Sequence, residues 1–119
     1  MKVEIIHADD NWKSEVNVSI DPQDIWDLDS CLAEIIVPAL QRFRKETHSY
    51  PAEFADDNEG FKKWEALLDK MIWSFEQAID GYNQEIDKKR FDMDAQKQYI
   101  KEVQEGIDLF AKYYMNLWD

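Results

Sequence analysis

The sequence has little of the material that small proteins use in place of a hydrophobic core. It contains a single cysteine, Cys31, and only three glycines and three prolines. One cysteine cannot form a disulfide within the chain, so disulfide-stapled secreted domains are excluded. A lone thiol is typical of a reducing compartment, where it behaves as a small hydrophobic side chain. We therefore expect a cytoplasmic protein in which Cys31 is structural.

Long apolar runs are also missing. The longest is the short stretch Ile35-Ile36-Val37, whereas a membrane-spanning helix needs roughly 20 apolar residues. The first residues, MKVEIIHADD, lack the extended apolar region of a signal peptide. We expect neither membrane insertion nor secretion.

Positive charge is scarce. Asp and Glu number 26 against 14 Lys and Arg, which gives a net charge of -12. Such a charge repels nucleic-acid phosphates and anionic lipids, so direct binding to nucleic acid or membrane is not expected. The chain is nevertheless 45% hydrophobic and 13% aromatic over 119 residues, enough for one continuous core. We predict a single domain, residues 1–119.

Residues 1–20 predict a two-stranded β-hairpin. The segments Lys2 to His7 and Glu15 to Ile20 alternate in polarity or carry β-branched side chains, and the polar stretch ADDNWK joins them. Asp21 followed by Pro22 is typical of a helix start. The hairpin therefore ends where the first helix begins.

Residues 22–119 predict a three-helix bundle that the hairpin covers on one side or at one end. The predicted helices are Pro22 to about His48, with a kink or break at Pro38; Gly60 or Phe61 to Tyr82; and a third from a cap at Asp92 or Asp94 nearly to the end of the chain. Tyr114, Leu117 and Trp118 belong to the inward face of the third helix. The predicted class is α+β, predominantly α.

Gly106 falls inside the third helix, beside its apolar face. A helical glycine costs about 1 kcal/mol relative to alanine. We expect a neighbouring element to approach closely there.

Motifs of catalysis and metal binding are not found. The glycines at 60, 81 and 106 form no phosphate-binding loop, and His7 and His48 lack the spacing of a zinc site. No serine or cysteine has the surroundings of a known nucleophile motif. We assign no catalytic residue, no metal and no cofactor, and the protein is expected not to be an enzyme.

One acidic row lies within about 60° on the second helix: Glu65, Asp69, Glu76 and Asp80. Helical nucleotide pyrophosphohydrolases hold magnesium with carboxylates on helices, but their ExxE and ExxD pairs match this spacing poorly. Nearby lysines favour a solvated face, and metal-assisted phosphate chemistry is the alternative.

Asp29 interrupts the apolar face of the first helix. A buried carboxylate needs a partner, which Arg42, Lys112 or a tyrosine hydroxyl such as that of Tyr113 could supply. The alternatives are a structural polar network and a ligand pocket. The candidate ligand-binding residues are therefore Asp29, Arg42, Lys112 and Tyr113.

Trp73 points roughly 170° from the apolar face of the second helix. Tryptophan is enriched at binding hot spots, and Trp26 and Val37 form a comparable patch on the first helix. We predict that Trp73, Trp26 and Val37 contribute to a homo-oligomer or partner interface, although a solitary exposed aromatic needs no explanation.

The order of several motifs resembles a family of small uncharacterised tailed-phage proteins. The motifs are Trp-x-x-Asp from Trp26, the helical Pro38, Met71-Ile72-Trp73, and a terminal Lys112-Tyr113-Tyr114 with Leu117-Trp118-Asp119. Similar proteins often carry a His-Gly-x-Pro turn where this chain has His48-Ser49-Tyr50-Pro51, so the resemblance does not mark that turn as a site. It implies a phage source and the cytoplasm of the host cell.

A phage source favours a non-catalytic accessory protein that acts in host takeover or counter-defence. It would occupy a host or phage protein, or sequester a small signalling nucleotide in an aromatic pocket with cationic groups. The alternative is an acidic DNA mimic that inhibits a host nuclease or DNA-binding protein, although lysines are mixed through every helix. A metal-dependent nucleotide hydrolase is a third hypothesis.

Overall fold

The computed structural model describes residues 1–7, 13–56 and 58–119 and has an α+β architecture made mostly of helix. An antiparallel hairpin precedes five helices; the elements are β1 (Lys2–His7), β2 (Ser14–Ser19), α1 (Pro22–Trp26), α2 (Leu28–Glu46), α3 (Gly60–Ile79), α4 (Tyr82–Lys88) and α5 (Met93–Tyr113). The predicted class and the N-terminal hairpin are confirmed. Most of the predicted link between the strands lies outside the described residues.

The first predicted helix is divided at Asp27 and not at Pro38. α1 begins as predicted, with Pro22 in its first position and the backbone N–H of Asp21 donating to Asp24 Oδ2 at 2.7 Å. Asp27 has φ -126° and ψ 45°, which is not helical and separates α1 from α2. α2 then continues through Pro38 to Glu46, because one missing backbone hydrogen bond does not outweigh the packing of the buried residues on either side.

The central element is α3. It packs against α2 and against α5, while no backbone contact joins α2 to α5 among the described residues. The core cluster is formed by apolar side chains from all three helices: Val37, Leu40, Trp64, Leu68, Met71, Ile72 and Tyr113. With five helices, and with α2 and α5 apart, the predicted three-helix bundle is not confirmed.

The close approach expected at Gly106 is confirmed. A Cβ atom added at this glycine would lie 1.9 Å from Ser74 Oγ and 2.7 Å from the backbone oxygen of Lys70. Only a residue without a side chain allows α5 to approach α3 this closely. Gly106 therefore fixes the spacing between the two helices.

A short helix occupies the segment that was predicted as a polar connector. α3 ends at Ile79, two residues after which Gly81 adopts φ +107°, a conformation that favours glycine. α4 follows directly, and Glu85 within it pairs with Lys88 and Lys89. Hydrophobic periodicity missed this helix because it is only seven residues long, with Tyr82 and Ile86 as its apolar side chains. The Tyr82 ring packs against that of Tyr99, with the centres 5.8 Å apart.

The hairpin does not cover the helices as predicted. Every described residue of β1 and β2 is exposed, and no backbone contact joins either strand to a helix among the described residues. An ion pair at 2.9 Å between the Met1 amine and Asp24 connects the start of the hairpin to α1. The hairpin therefore projects from the helical part of the protein.

Apolar side chains cover more of the surface of α2 than the part that packs against α3. Ala33, Val37 and Leu40 are buried against α3, whereas Leu28, Leu32 and Ile35 are exposed. The prediction that Val37 forms a surface patch is wrong, because only 7% of this residue is exposed and it belongs to the core cluster. Both groups of residues fit helical spacing, so the spacing does not tell which of them is buried.

Candidate functional site

The four candidate ligand-binding residues do not come together in one pocket. Asp29 is exposed in the first turn of α2, where its Oδ1 accepts from the backbone N–H of Ser30 at 2.9 Å. The expectation that Asp29 is buried on the apolar face is therefore wrong. The first turn of a helix favours a carboxylate because the helix dipole is positive there.

Arg42, Lys112 and Tyr113 each have partners other than Asp29. Arg42 forms an exposed ion pair with Glu46 at 2.5 Å. The Lys112 ammonium lies 5.1 Å from the centre of the Tyr113 ring. Tyr113 is buried, and its hydroxyl donates to Glu53; burial and this hydrogen bond raise the pKa of Tyr113. These contacts are those of a structural network.

Two members of the predicted acidic row bind an arginine. Arg44 Nη1 contacts Glu65 Oε2 and Arg44 Nε contacts Asp69 Oδ1, both at 2.8 Å, and the pair of carboxylates raises the pKa of the Arg44 guanidinium. The arginine links α2 to α3. In the part of the chain that the structure describes, no group of acidic, histidine or cysteine side chains is arranged to hold a metal ion.

Two clefts beside α2 are acidic. One, of about 510 Å³, lies between the hairpin and α2 and includes Asp24 and Glu34. The other, of about 420 Å³, lies beside the end of α3 and includes Asp27, Glu34 and Asp80. Carboxylates repel phosphate, so neither cleft favours a nucleotide. Burial and the nearby Asp24 raise the pKa of the Cys31 thiol, which lines both clefts.

Trp73 is not fully exposed. Its ring lies edge-on against the ring of Tyr99, with the centres 6.2 Å apart, and Tyr99 also donates to Gln77 at 2.6 Å. Trp73 is half-buried and lines a shallow groove of about 310 Å³ between α3 and α5. The predicted direction of Trp73 assumed that α3 packs through one face only. In the structure α3 packs against α2 and also against α5.

Three large apolar side chains are exposed in the residues that follow α5. We name Tyr114, Met115 and Trp118 the Trp118 patch. These residues are 58%, 81% and 70% exposed. The prediction that Tyr114 and Trp118 face inward is wrong because α5 ends at Tyr113 and a tighter 3-10 turn follows. Helical periodicity ceases to apply at that point.

Two anchors hold Trp118 in place. Leu117 packs against the core on one side of it. On the other side, Asp119 Oδ1 accepts from the backbone N–H of His48 at 2.9 Å and from Ser49 Oγ at 3.1 Å. The buried Thr47 donates to the same oxygen at 3.3 Å. Asp119 thus fastens the end of the chain to the residues that follow α2.

This cluster of serine, histidine and aspartate is not a catalytic triad. Ser49 and His48 both contact Asp119, with His48 Nδ1 3.3 Å from Asp119 Oδ2. A nucleophilic serine must instead bond to the histidine that activates it. The arrangement can fasten two segments but does not activate the Ser49 hydroxyl.

The Asp119 contacts predict an acid-sensitive tail. Hydrogen bonds from the His48 backbone and side chain lower the pKa of Asp119 below its ordinary value. The stabilisation is complete above the ordinary aspartate pKa of about 3.9 and is lost as the pH falls through the lower folded value. We expect the His48 amide resonance to shift in NMR spectra as the pH falls below about 3.9. Asp119→Asn should abolish this shift, and an unchanged titration in that variant would contradict the assignment.

Comparisons with known proteins leave the site to be interpreted from its own geometry. No protein-family model, curated protein or solved structure matches this chain. Among the described residues, no helix is both long and apolar enough to cross a bilayer.

Proposed function

We propose that this protein is a non-catalytic binding protein that occupies a host protein through the Trp118 patch, as a tailed-phage accessory protein in host takeover or counter-defence. The observation that supports the proposal is the outward display of Trp118 between the anchors Leu117 and Asp119. Trp, Tyr and Met are enriched in protein interfaces, and Trp and Tyr are the residues most often found at hot spots. Because the residues on both sides of Trp118 are anchored, its backbone loses little conformational freedom on binding.

The chemistry of the Trp118 patch and the charge of the chain indicate what surface the partner would have. An apolar pocket would receive the Trp118 indole, and burial of that ring would supply most of the affinity. The net charge of -12 favours a partner whose surface is basic around the pocket, because complementary charge speeds the encounter.

A protein partner fits the observed contacts better than a signalling nucleotide does. Phosphate recognition needs free cationic groups that converge. Arg42 is paired with Glu46, and Arg44 is paired with Glu65 and Asp69. Both arginines are therefore engaged by carboxylates, and Lys112, the third cationic candidate, lies over the ring of Tyr113.

The same contacts weigh against the DNA mimic and the hydrolase. A mimic needs rows of unpaired acids, whereas Glu105 lies between Lys70 and Lys101. The hydrolase needs carboxylates that are free to hold magnesium. Glu65 and Asp69 form one of the two pairs in the acidic row that are four residues apart, and both bind Arg44.

The proposal predicts that Trp118→Ala weakens capture of the partner by about 30-fold or more, which is the effect of losing a hot spot. The tagged full chain would be purified from infected host cells and examined by native mass spectrometry. The co-purifying protein would then be titrated against wild type and variant. Binding should persist in about 0.5 M NaCl, where charge interactions are screened beyond a few ångströms.

Phe91→Ala is the matched control. Phe91 is 90% exposed, stacks under Arg90 and lies before α5, at the opposite end of that helix from Trp118. The control should bind as wild type does. Equal binding by Trp118→Ala and wild type would overturn the proposal, as would a retained nucleotide in place of a protein.

A further inference from the structure

One face of the hairpin is apolar and has no cover in the single chain. Val3 pairs with Val18, and Ile5 with Val16, so these four side chains share a face. The opposite face carries Lys2, Glu4 and Glu15 together with one apolar residue, Ile6. A two-stranded hairpin alone in water is marginally stable. This one has no backbone contact with a helix among the described residues.

A second uncovered surface runs along α2. Leu28, Leu32 and Ile35 are exposed and are separated by four and three residues. In the sequence, Ile25 precedes Leu28 by three residues and Ala39 follows Ile35 by four. The intervals between these apolar residues therefore alternate between three and four. This spacing is that of a helix that packs lengthwise against another helix. The row lies roughly 140° around α2 from the residues that are buried against α3.

The two surfaces are continuous. The cleft of about 510 Å³ between hairpin and helix is lined by Val3 and Ile5 from β1 and by Ile35 from α2. We name the combined area the seam surface; it consists of Val3, Ile5, Val16, Val18, Leu28, Leu32 and Ile35. Each of these side chains is between 37% and 56% exposed.

We propose that the seam surface is the interface of a symmetric homodimer, in which Leu32 at the middle of the α2 row meets Leu32 of a second copy. This proposal goes beyond the Trp118 patch, since it uses a different part of the protein. In a twofold interface the same patch must complement itself. A regularly spaced aliphatic row satisfies this requirement, because two antiparallel copies interdigitate along it.

Charge restricts where a second copy can dock. With a net charge of -12, two copies repel each other over most of their surface. The seven side chains of the seam surface carry no charge. At its border, the carboxylate of Asp24 is paired with the Met1 amine at 2.9 Å, and Glu34 is the other carboxylate that lines the cleft. The seam surface is therefore where two acidic copies can approach.

The size and composition of the surface also fit. Seven half-exposed aliphatic side chains amount to about 400 Å² per copy. A standard interface buries about 800 Å² per partner, a little over half of it apolar. Aliphatic cores are typical of permanent homodimers, whereas Trp, Tyr and Met dominate hot spots for other partners. Trp26, which is 81% exposed and follows Ile25, would lie at the rim of the dimer.

The test uses opposite charges at Leu32 in the full chain. Sedimentation velocity should give wild type twice the 14.2 kDa subunit mass at tens of micromolar. Leu32→Lys and Leu32→Glu should each raise the dissociation constant more than 100-fold, because like charges then face each other. An equimolar mixture of the two variants should recover the dimer, which also shows that both are folded.

Ile100→Lys is the control, since Ile100 is exposed to a similar extent (39%) on α5, outside the seam surface. It should leave the mass of the wild-type assembly unchanged. A monomeric wild type, a dimer that survives Leu32→Lys, or a mixture that stays monomeric would each overturn the proposal. None of these results depends on whether Trp118 binds a partner.

Discussion

Trp64→Ala should lower the free energy of unfolding by about 3 to 5 kcal/mol, the range for removing a large aromatic side chain from a core. Trp64 is fully buried, and its ring meets that of Tyr113 edge-on with centres 5.4 Å apart. The surrounding helices cannot close the cavity without moving α5. Urea titration followed by circular dichroism at fixed protein concentration measures the loss.

Two further variants separate packing from polarity at this position. Trp64 Nε1 is buried and has no hydrogen-bond partner among the described residues, so Trp64→Phe loses no hydrogen bond and should cost less than about 1.5 kcal/mol. Trp118→Ala removes an exposed indole and should change stability by no more than about 0.5 kcal/mol. A Trp64→Ala protein as stable as wild type would mean that Trp64 is not in the core.

Gly106→Ala should lower stability by about 3 kcal/mol, near the upper end of the usual cost of overpacking. The added Cβ would collide with the Ser74 side chain and with the backbone of Lys70. Alanine would by itself favour the helix by about 1 kcal/mol, so a net loss isolates the effect of the collision. Thermal and urea unfolding would both report it.

A double variant tests the cause of that loss. Ser74→Gly removes the two side-chain atoms that the new methyl group would meet at 1.9 and 2.6 Å. Adding it to Gly106→Ala should recover part of the stability, but not all, because the Lys70 carbonyl oxygen remains at 2.7 Å. Additive effects of the two substitutions would show that α3 and α5 do not touch at this point.

Local rules predicted the parts of the fold that depend on near neighbours. The hairpin, the Asp21-Pro22 helix start and the close approach at Gly106 follow from strand alternation, capping and the cost of glycine. α4 was missed because a helix of seven residues is too short to show apolar periodicity. Asp27 divides the first helix through its backbone conformation, which hydrophobic spacing does not reveal.

The orientation of side chains was harder to predict because apolar residues cover more of each helix than one contact needs. On α2, the spacing alone could not tell that Val37 packs inward while Leu32 stays exposed. On α3, Trp73 was placed outside because the contact with α5 was unknown. The Trp118 patch lay beyond the last turn of α5, where helical spacing assigned an inward face that the chain does not have.

The central place of α3 has a consequence for the order in which the protein opens. Because α2 and α5 share no backbone contact among the described residues, either can detach while the other remains docked on α3. Native-state opening then proceeds through two partly open forms, each a helical hairpin that keeps α3. Amide groups of α3 exchange with solvent only when both outer helices have left, so α3 is the slowest-exchanging segment of the helical part.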